Sequence, residues 1–181
     1  AASGLVRFNS TTSLVLALKS DGTVVTWGYF LSGGEWIKAS VPAGLTNVVA
    51  IAAGPTHCLA LKADATVVAW GDNWAGESSV PVGLREVVAI AAGTSHSVAL
   101  KADGTMVCWG HNYWGQSSVP NGLNGAVGIA AGASRSLALL AEPIQSVTPA
   151  LRVKLNGKNV VLSWPRGASD YRLQSRYDFG G

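Results

Sequence analysis

The sequence predicts an all-β protein made of β-propeller blades of four antiparallel strands, an incomplete ring in one chain, with a short C-terminal β segment behind it. Three observations carry that prediction. The first is a repeat: Val87–Leu123 aligns without gaps on Val48–Leu84 with 25 identical residues, and Gly54, Gly93 and Gly132 fall 39 residues apart each time, the signature of an array of supersecondary units. The second is local, since VVAIAAG, HSVALK and TMVCWG are short β-rich runs broken by turn signals. The third is that both faces of these runs are apolar: Val98 and Leu100 alternate with Ser97 and Ala99, and Val107 and Trp109 with Met106 and Cys108. A lone antiparallel sheet keeps one polar face for water. These sheets are therefore expected between neighbours, large side chains meeting small ones, as blades stack around a propeller.

Taken in order, the array spans residues 1–143, with units at about 5–46, 47–86 and 87–125 and a partial fourth at 126–141. The first unit is the most altered. It keeps Leu16-Ala17-Leu18-Lys19 and Asp21-Gly22-Thr23, has Thr11 and Leu14 where later units place glycine and histidine, and carries four extra residues between Trp27 and Pro42. Insertions in repeat proteins fall in loops on one face, often the binding face. Asp21-Gly22 and Asp103-Gly104 predict a tight hairpin between second and third strands, because glycine accepts the positive φ of such turns; Ala65 in the second unit predicts strain or another turn type. The Ser-Ser-Val-Pro stretches lead into a short final segment. The fourth copy stops after two strands, with Arg135 in the histidine register, and Glu142-Pro143-Ile144 breaks the pattern. Residues 144–150 read as a linker. Residues 151–181 read as a partial β-sandwich-like tail, with an Asn156-Gly157 hairpin signal, a strand over Asn159–Trp164 and a third near Tyr171–Ser175.

A chain 48% apolar and 13% charged is folded rather than disordered. Its formal net charge of +3 sits in the tail: residues 1–143 hold seven Lys/Arg against eight Asp/Glu, and 144–181 hold six against two. Lys19, Lys62 and Lys101 recur one per unit instead of clustering as a phosphate-binding face must, which excludes nucleic acid as a partner. No run reaches the ~20 apolar residues of a membrane helix, and AASGLVRF is not a signal peptide. The expectation is a mature extracellular or periplasmic form whose signal has been removed, without membrane contact. Cys58 and Cys108 stand where other units carry small residues and read as free thiols.

Asp-Gly-Thr-Val, Trp-Gly-x-Asn and Gly-Gln, with Ala-Ala-Gly-x-x-His-Ser-x-Ala-Leu upstream, resemble the regulator of chromosome condensation repeat family over roughly residues 5–141. The likeness is greatest to the bacterial short-repeat branch, which includes a propeller-shaped inhibitory protein of β-lactamase. The resemblance implies blades in a ring, usually of seven, whose loops at one end recognise other macromolecules. Three and a half units do not close such a ring, and an open array exposes an apolar face at each end; a homo-oligomer, two copies completing the propeller, is the expected outcome. The tail, VVLSWP to YRLQS, resembles the opening strands of a fibronectin-type or immunoglobulin-like module. Guanine-nucleotide exchange, known in the eukaryotic branch, finds no residue here to carry it.

Catalysis finds no constellation either. His57 and His96 share a register, but a metal needs three or four donors within ~2.0–2.3 Å of one ion, and equivalent positions in adjacent blades lie too far apart. Each imidazole is expected to close the turn after Ala-Ala-Gly by bonding backbone carbonyls. The serines at 78–79 and 117–118 are turn residues, no Gly-x-Ser-x-Gly elbow exists, and Asp21, Asp64 and Asp103 belong to turns, leaving Glu35, Asp72 and Glu77 scattered. The chain reads as non-enzymatic, with no cofactor and no metal.

The aromatics divide. Trp27, Trp70 and Trp109 repeat at one position and are expected in the blade core. Tyr29, Phe30 and Trp36, then Asp72, Asn73 and Trp74, then His111, Asn112, Tyr113 and Trp114 occupy the loop after each Trp-Gly and form the candidate ligand-binding set. Rigid aromatic loops dominate protein interfaces, so the leading reading is a binding or scaffold propeller that recognises another protein. The same rings beside Asn or Asp could cradle a sugar, which keeps a carbohydrate-binding module as the alternative. A purely structural piece of a larger exported repeat protein is the third reading.

Overall fold

The computed structural model describes the backbone of residues 5–10, 14–140, 152–156 and 159–163, and the side chains of 14–140. The chain divides into two compact parts, Ala1–Ala141 and Glu142–Gly181. In the first part, β1 (Leu5–Ser10), β2 (Leu14–Lys19), β3 (Val24–Ser32) and β4 (Glu35–Lys38) form one antiparallel sheet in that order. The second blade is β5 (Val48–Ala53), β6 (His57–Lys62) and β7 (Val67–Gly71); the third is β8 (Val87–Ala92), β9 (His96–Lys101) and β10 (Met106–Gly110). The fourth is β11 (Ala126–Ala131) paired with β12 (Ser136–Leu140). In the second part, β13 (Arg152–Asn156) and β14 (Asn159–Ser163) pair as the hairpin expected around Asn156-Gly157. The linker and the third tail strand lie outside the described residues.

Among the described residues only the first blade carries four strands. In the second and third, Ser-Ser-Val-Pro is held by turns, with Leu84 N–H bonded to Pro81 O and Leu123 N–H to Pro120 O, and no ladder forms there. The four-residue excess of the first unit accounts for the difference. It builds a hairpin instead of a loop, because Gly33 and Gly34 both adopt positive φ, 60° and 88°, as a two-residue turn between Ser32 and Glu35 requires. Asp-Gly turns form as expected, and Ala65 adopts the same left-handed conformation (φ 62°) as Gly22 and Gly104. A Cβ in that region costs about 1 kcal/mol. Each turn is reinforced by its aspartate: Asp64 accepts both the Thr66 N–H and hydroxyl. Lys19, Lys62 and Lys101 reach Asp21, Asp64 and Asp103 at 3.5, 2.9 and 3.1 Å, so the recurring lysines are neutralised within their own turns.

The core is a series of layers between blades. Leu59 and Leu61 of β6 face Ala99 and Trp109 of the third blade, while Val98, Leu100 and Met106 face Ile129 and Ala138 of the fourth. Large meets small, as the alternation predicts. The glycine spacing has its cause in the same place: a Cβ on Gly93 would meet its own His96 ring and stand 2.6 Å from Gly132 O, and one on Gly54 would meet Gly93 O. One expectation needs correction. Trp109 is 7% exposed but Trp27, at the same register, is 48% exposed, because among the described residues no blade precedes the first to cover it. Val25, Tyr29 and Leu31 lie exposed on the same side of β3, and Leu137 and Leu139 of β12 are exposed at the other end of the array.

Candidate functional site

The loops that follow β7 and β10 share one internal scaffold. Asn73 Oδ1 accepts the Ser78 N–H at 2.9 Å while its amide donates to Ser79 Oγ at 2.9 Å, and Ser78 Oγ donates to Asp72 O. One period on, Asn112 accepts the Ser117 N–H at 2.9 Å, donates to Ser118 Oγ at 3.0 Å, and Ser117 Oγ donates to His111 O. Glu77 Oε2 accepts the Ala75 N–H, and Gln116 Oε1 accepts the Trp114 N–H. Asn, Ser and Glu/Gln are thus brackets that fix the backbone. Short polar side chains bonding nearby main chain are the standard means of holding a tight loop. The variable positions between the brackets are left to project.

Those positions hold the aromatics. Trp74, Tyr113 and Trp114 are 82%, 78% and 71% exposed, yet they are not scattered. Trp74 stacks on His111 of the next blade, ring centroids 6.3 Å apart and 24° between planes; His111 tilts against Tyr113 at 6.5 Å; Tyr113 meets Trp114 edge-on at 4.7 Å. Gln116 Nε2 donates to His111 Nδ1 at 2.7 Å, which fixes the imidazole plane between its neighbours. Ser32, at the end of β3, donates to Asp72 Oδ1 at 2.6 Å and ties the first blade's hairpin to the second blade's loop. The result is one rim across three blades.

The sequence-derived set is therefore only partly assembled. Trp74, His111, Tyr113 and Trp114 come together. Tyr29 and Trp36 are exposed on the β3–β4 hairpin instead of in a loop, and Phe30 is 8% exposed and packs into the first core with Leu14 and Leu16, because alternate residues of a strand point to opposite faces. Asp72, Asn73 and Asn112 spend hydrogen bonds on the scaffold. Two participants went unnoticed in sequence. Ser32 carries no signal, being a serine before two glycines; Glu77 looked like a stray carboxylate, although its alternation with Gln116 at one register marks a bracket.

The histidines sit beneath the rim. His57 and His96 are fully buried. His57 Nε2 lies 2.9 Å from Ser97 Oγ of the next blade, and that hydroxyl donates to Glu77 O at 2.9 Å, so the imidazole donates across the blade interface, not to turn carbonyls. Burial first, and His96 second, push the His57 pKa from 6.5 down to about 4, with Asp72 opposing weakly. Burial also lowers His96, countered by the Arg135 backbone. Both cysteines are free, and burial raises the Cys58 thiol to about 12, far from the range of a reactive thiolate. Among the described residues no three His, Cys, Asp or Glu side chains converge on a metal position.

Residues 48–76 and 87–116 match the family profile described as the regulator of chromosome condensation (RCC1) repeat. The match covers the repeats of the second and third blades. Solved structures agree in fold: human WBSCR16 (TM-score 0.58, 22% identity, 78% of this chain and 46% of that one), the ectodomain of the Physcomitrella patens receptor kinase CR4 (0.63, 25%, 78% and 40%), and yeast RCC1 (Prp20) bound to Kap60 (0.56, 22%, 90% and 40%). The chain spans less than half the length of each. No curated protein matches it by sequence.

Proposed function

We propose that the RCC1-like array is a non-catalytic recognition module that binds another protein through the rim formed by Trp74, His111, Tyr113 and Trp114. The observation that carries this reading is the exposure of three rings, Trp74, Tyr113 and Trp114, joined through the half-buried His111 on loops whose backbones are already fixed. Pre-ordered aromatics lose little conformational entropy on binding. A sugar site would need free polar groups beside the rings, whereas Asn73 and Asn112 are engaged within their own loops; this favours a protein over a glycan. Yeast RCC1 (Prp20) is a protein-bound propeller of the same fold, in complex with Kap60. Selection from a displayed protein-domain library, repeated on Trp74→Ala/Trp114→Ala, tests the reading. Both residues are exposed enough to leave folding intact. Binders selected on the native chain are expected to weaken by about 2 kcal/mol or more, roughly thirtyfold, on the variant. Binders indifferent to the variant, or a reproducible glycan-array signal lost in it, count against the proposal.

The array also offers two unlike apolar ends, Val25, Trp27, Tyr29 and Leu31 on β3 and Leu137 and Leu139 on β12. Burying these against a second copy supports self-association, with the large residues of one end meeting the other. Light scattering is expected to give twice the mass of one chain, and a monomer at all concentrations refutes it.

A further inference from the structure

The seat that a tryptophan fills twice in this protein stands open a third time. Val107 and Trp109 share a core cluster with Val67, Ala69, Val80 and Leu84 of the preceding blade. Trp70 is seated in the same way with Val24, Val41 and Leu45. One period on, the four positions are Met106, Cys108, Val119 and Leu123, and here they line a cavity of about 450 Å³ whose other wall is Ser136–Ala138 of β12.

Backbone and polar groups repeat the pattern. Where β6 and β9 each have a strand on both sides, β12 has one strand neighbour among the described residues, β11. Glu77 O accepts two hydrogen bonds at 2.9 Å, from Ser97 Oγ and from the indole N–H of Trp109. Its counterpart Gln116 O accepts Ser136 Oγ at 2.7 Å and, among the described residues, no indole. The sequence after β12 does not carry the missing pattern, since Ser146 and Thr148 stand one period beyond Val107 and Trp109.

We propose that this groove is a strand-acceptor site for an extended segment patterned Val-x-Trp-Gly, donated by another polypeptide. The segment adds to the open edge of β12. Ladder bonds to that edge supply affinity, and the alternate side chains, valine and tryptophan, point into the groove and supply selectivity. The indole N–H takes the second acceptor site of Gln116 O, as Trp109 does on Glu77 O. The internal blade interface is the template for each contact. The groove adjoins the aromatic rim, since Trp114 lines both, but the edge of β12 and the indole acceptor Gln116 O are not part of the four rings, so the strand-acceptor reading does not require the rim to bind a partner.

The probe is a fluorescein-labelled peptide of residues 102–110 with Cys108→Ala, titrated into the full chain by anisotropy, with maleimide labelling of the protein as second readout. Saturable binding is expected, weakened about tenfold or more when the peptide carries Trp109→Ala. Bound peptide is expected to slow modification of Cys108, which lines the groove, and to leave buried Cys58 unchanged. Absence of saturable binding overturns the proposal, as does equal binding of the tryptophan-free peptide or binding without protection of Cys108. Since the decisive change is made in the peptide, the protein stays native throughout.

Discussion

Gly93→Ala is expected to destabilise the array by about 3 kcal/mol, while Gly132→Ala, the same substitution one period later, is neutral or gains about 0.5 kcal/mol. The two glycines occupy one register in the Ala-Ala-Gly motif, and neither needs a positive φ. What separates them is the neighbour. A Cβ on Gly93 collides with the His96 ring and with Gly132 O at 2.6 Å, a backbone atom that cannot step aside without moving the fourth blade, whereas a Cβ on Gly132 meets nothing within 4 Å. Urea denaturation of the two variants against the native chain measures the difference directly. Equal stabilities would mean that the glycine is present for chain flexibility and not for the closeness of the blades.

Acid is expected to loosen the same interface. His57 is fully buried and neutral, with a folded-state pKa near 4 against 6.5 in the unfolded chain. Below pH 6.5 the unfolded chain takes up a proton that the native imidazole refuses, so stability falls as the pH drops. The contribution is complete above about pH 6.5, declines through the interval, and is lost by about pH 4. One unit of difference is 1.36 kcal/mol, so the loss from this residue is about 3 kcal/mol. His96 is shifted in the same direction and adds to it. His57→Leu copies what Leu14 already does in the first blade, and is expected to flatten the dependence between pH 6.5 and 4 in thermal melts. A slope that survives the substitution unchanged would place the acid sensitivity elsewhere.

The sequence was a good guide wherever the determining contact lay within one unit. Strand runs, the Asp-Gly turns and the identity of the rim loops follow from periodicity and turn chemistry inside some 39 residues. It was a poor guide wherever the partner lay one blade away. Nothing local says that His57 answers to Ser97, 40 residues on, that Trp74 stacks on His111, or that Trp27 lacks the cover that Trp109 has. The irregularity between Val48 and Ala50 recurs between Val87 and Ala89 and between Ala126 and Gly128. Such a bulge leaves β-propensity unaltered and is invisible to an alternation test. The four-stranded blade is realised in the first unit and falls one strand short in the second and third: Val-Pro segments have strand-like composition, but proline removes a ladder donor, and among the described residues the Gly33-Gly34 hairpin supplies the pairing edge.

The histidine-to-serine link between blades has a meaning beyond its own energy. His57 faces Ser97, and at the next boundary His96 and Ser136 hold the same registers; at the first boundary both members change together, to Leu14 and Cys58. The residue types are thus matched at each junction, polar with polar or apolar with apolar, although only His57 bonds its serine, and Ser136 Oγ donates to Gln116 O. A permuted array that set the first blade's Leu14 against Ser97 would bury a hydroxyl beside a leucine, and one that set the third blade's His96 against Cys58 would leave an imidazole N–H facing a weak acceptor. The blades are near-copies in sequence, yet they are not all interchangeable: the first boundary carries a different key from the two that follow, which fixes the place of the first blade at the joint.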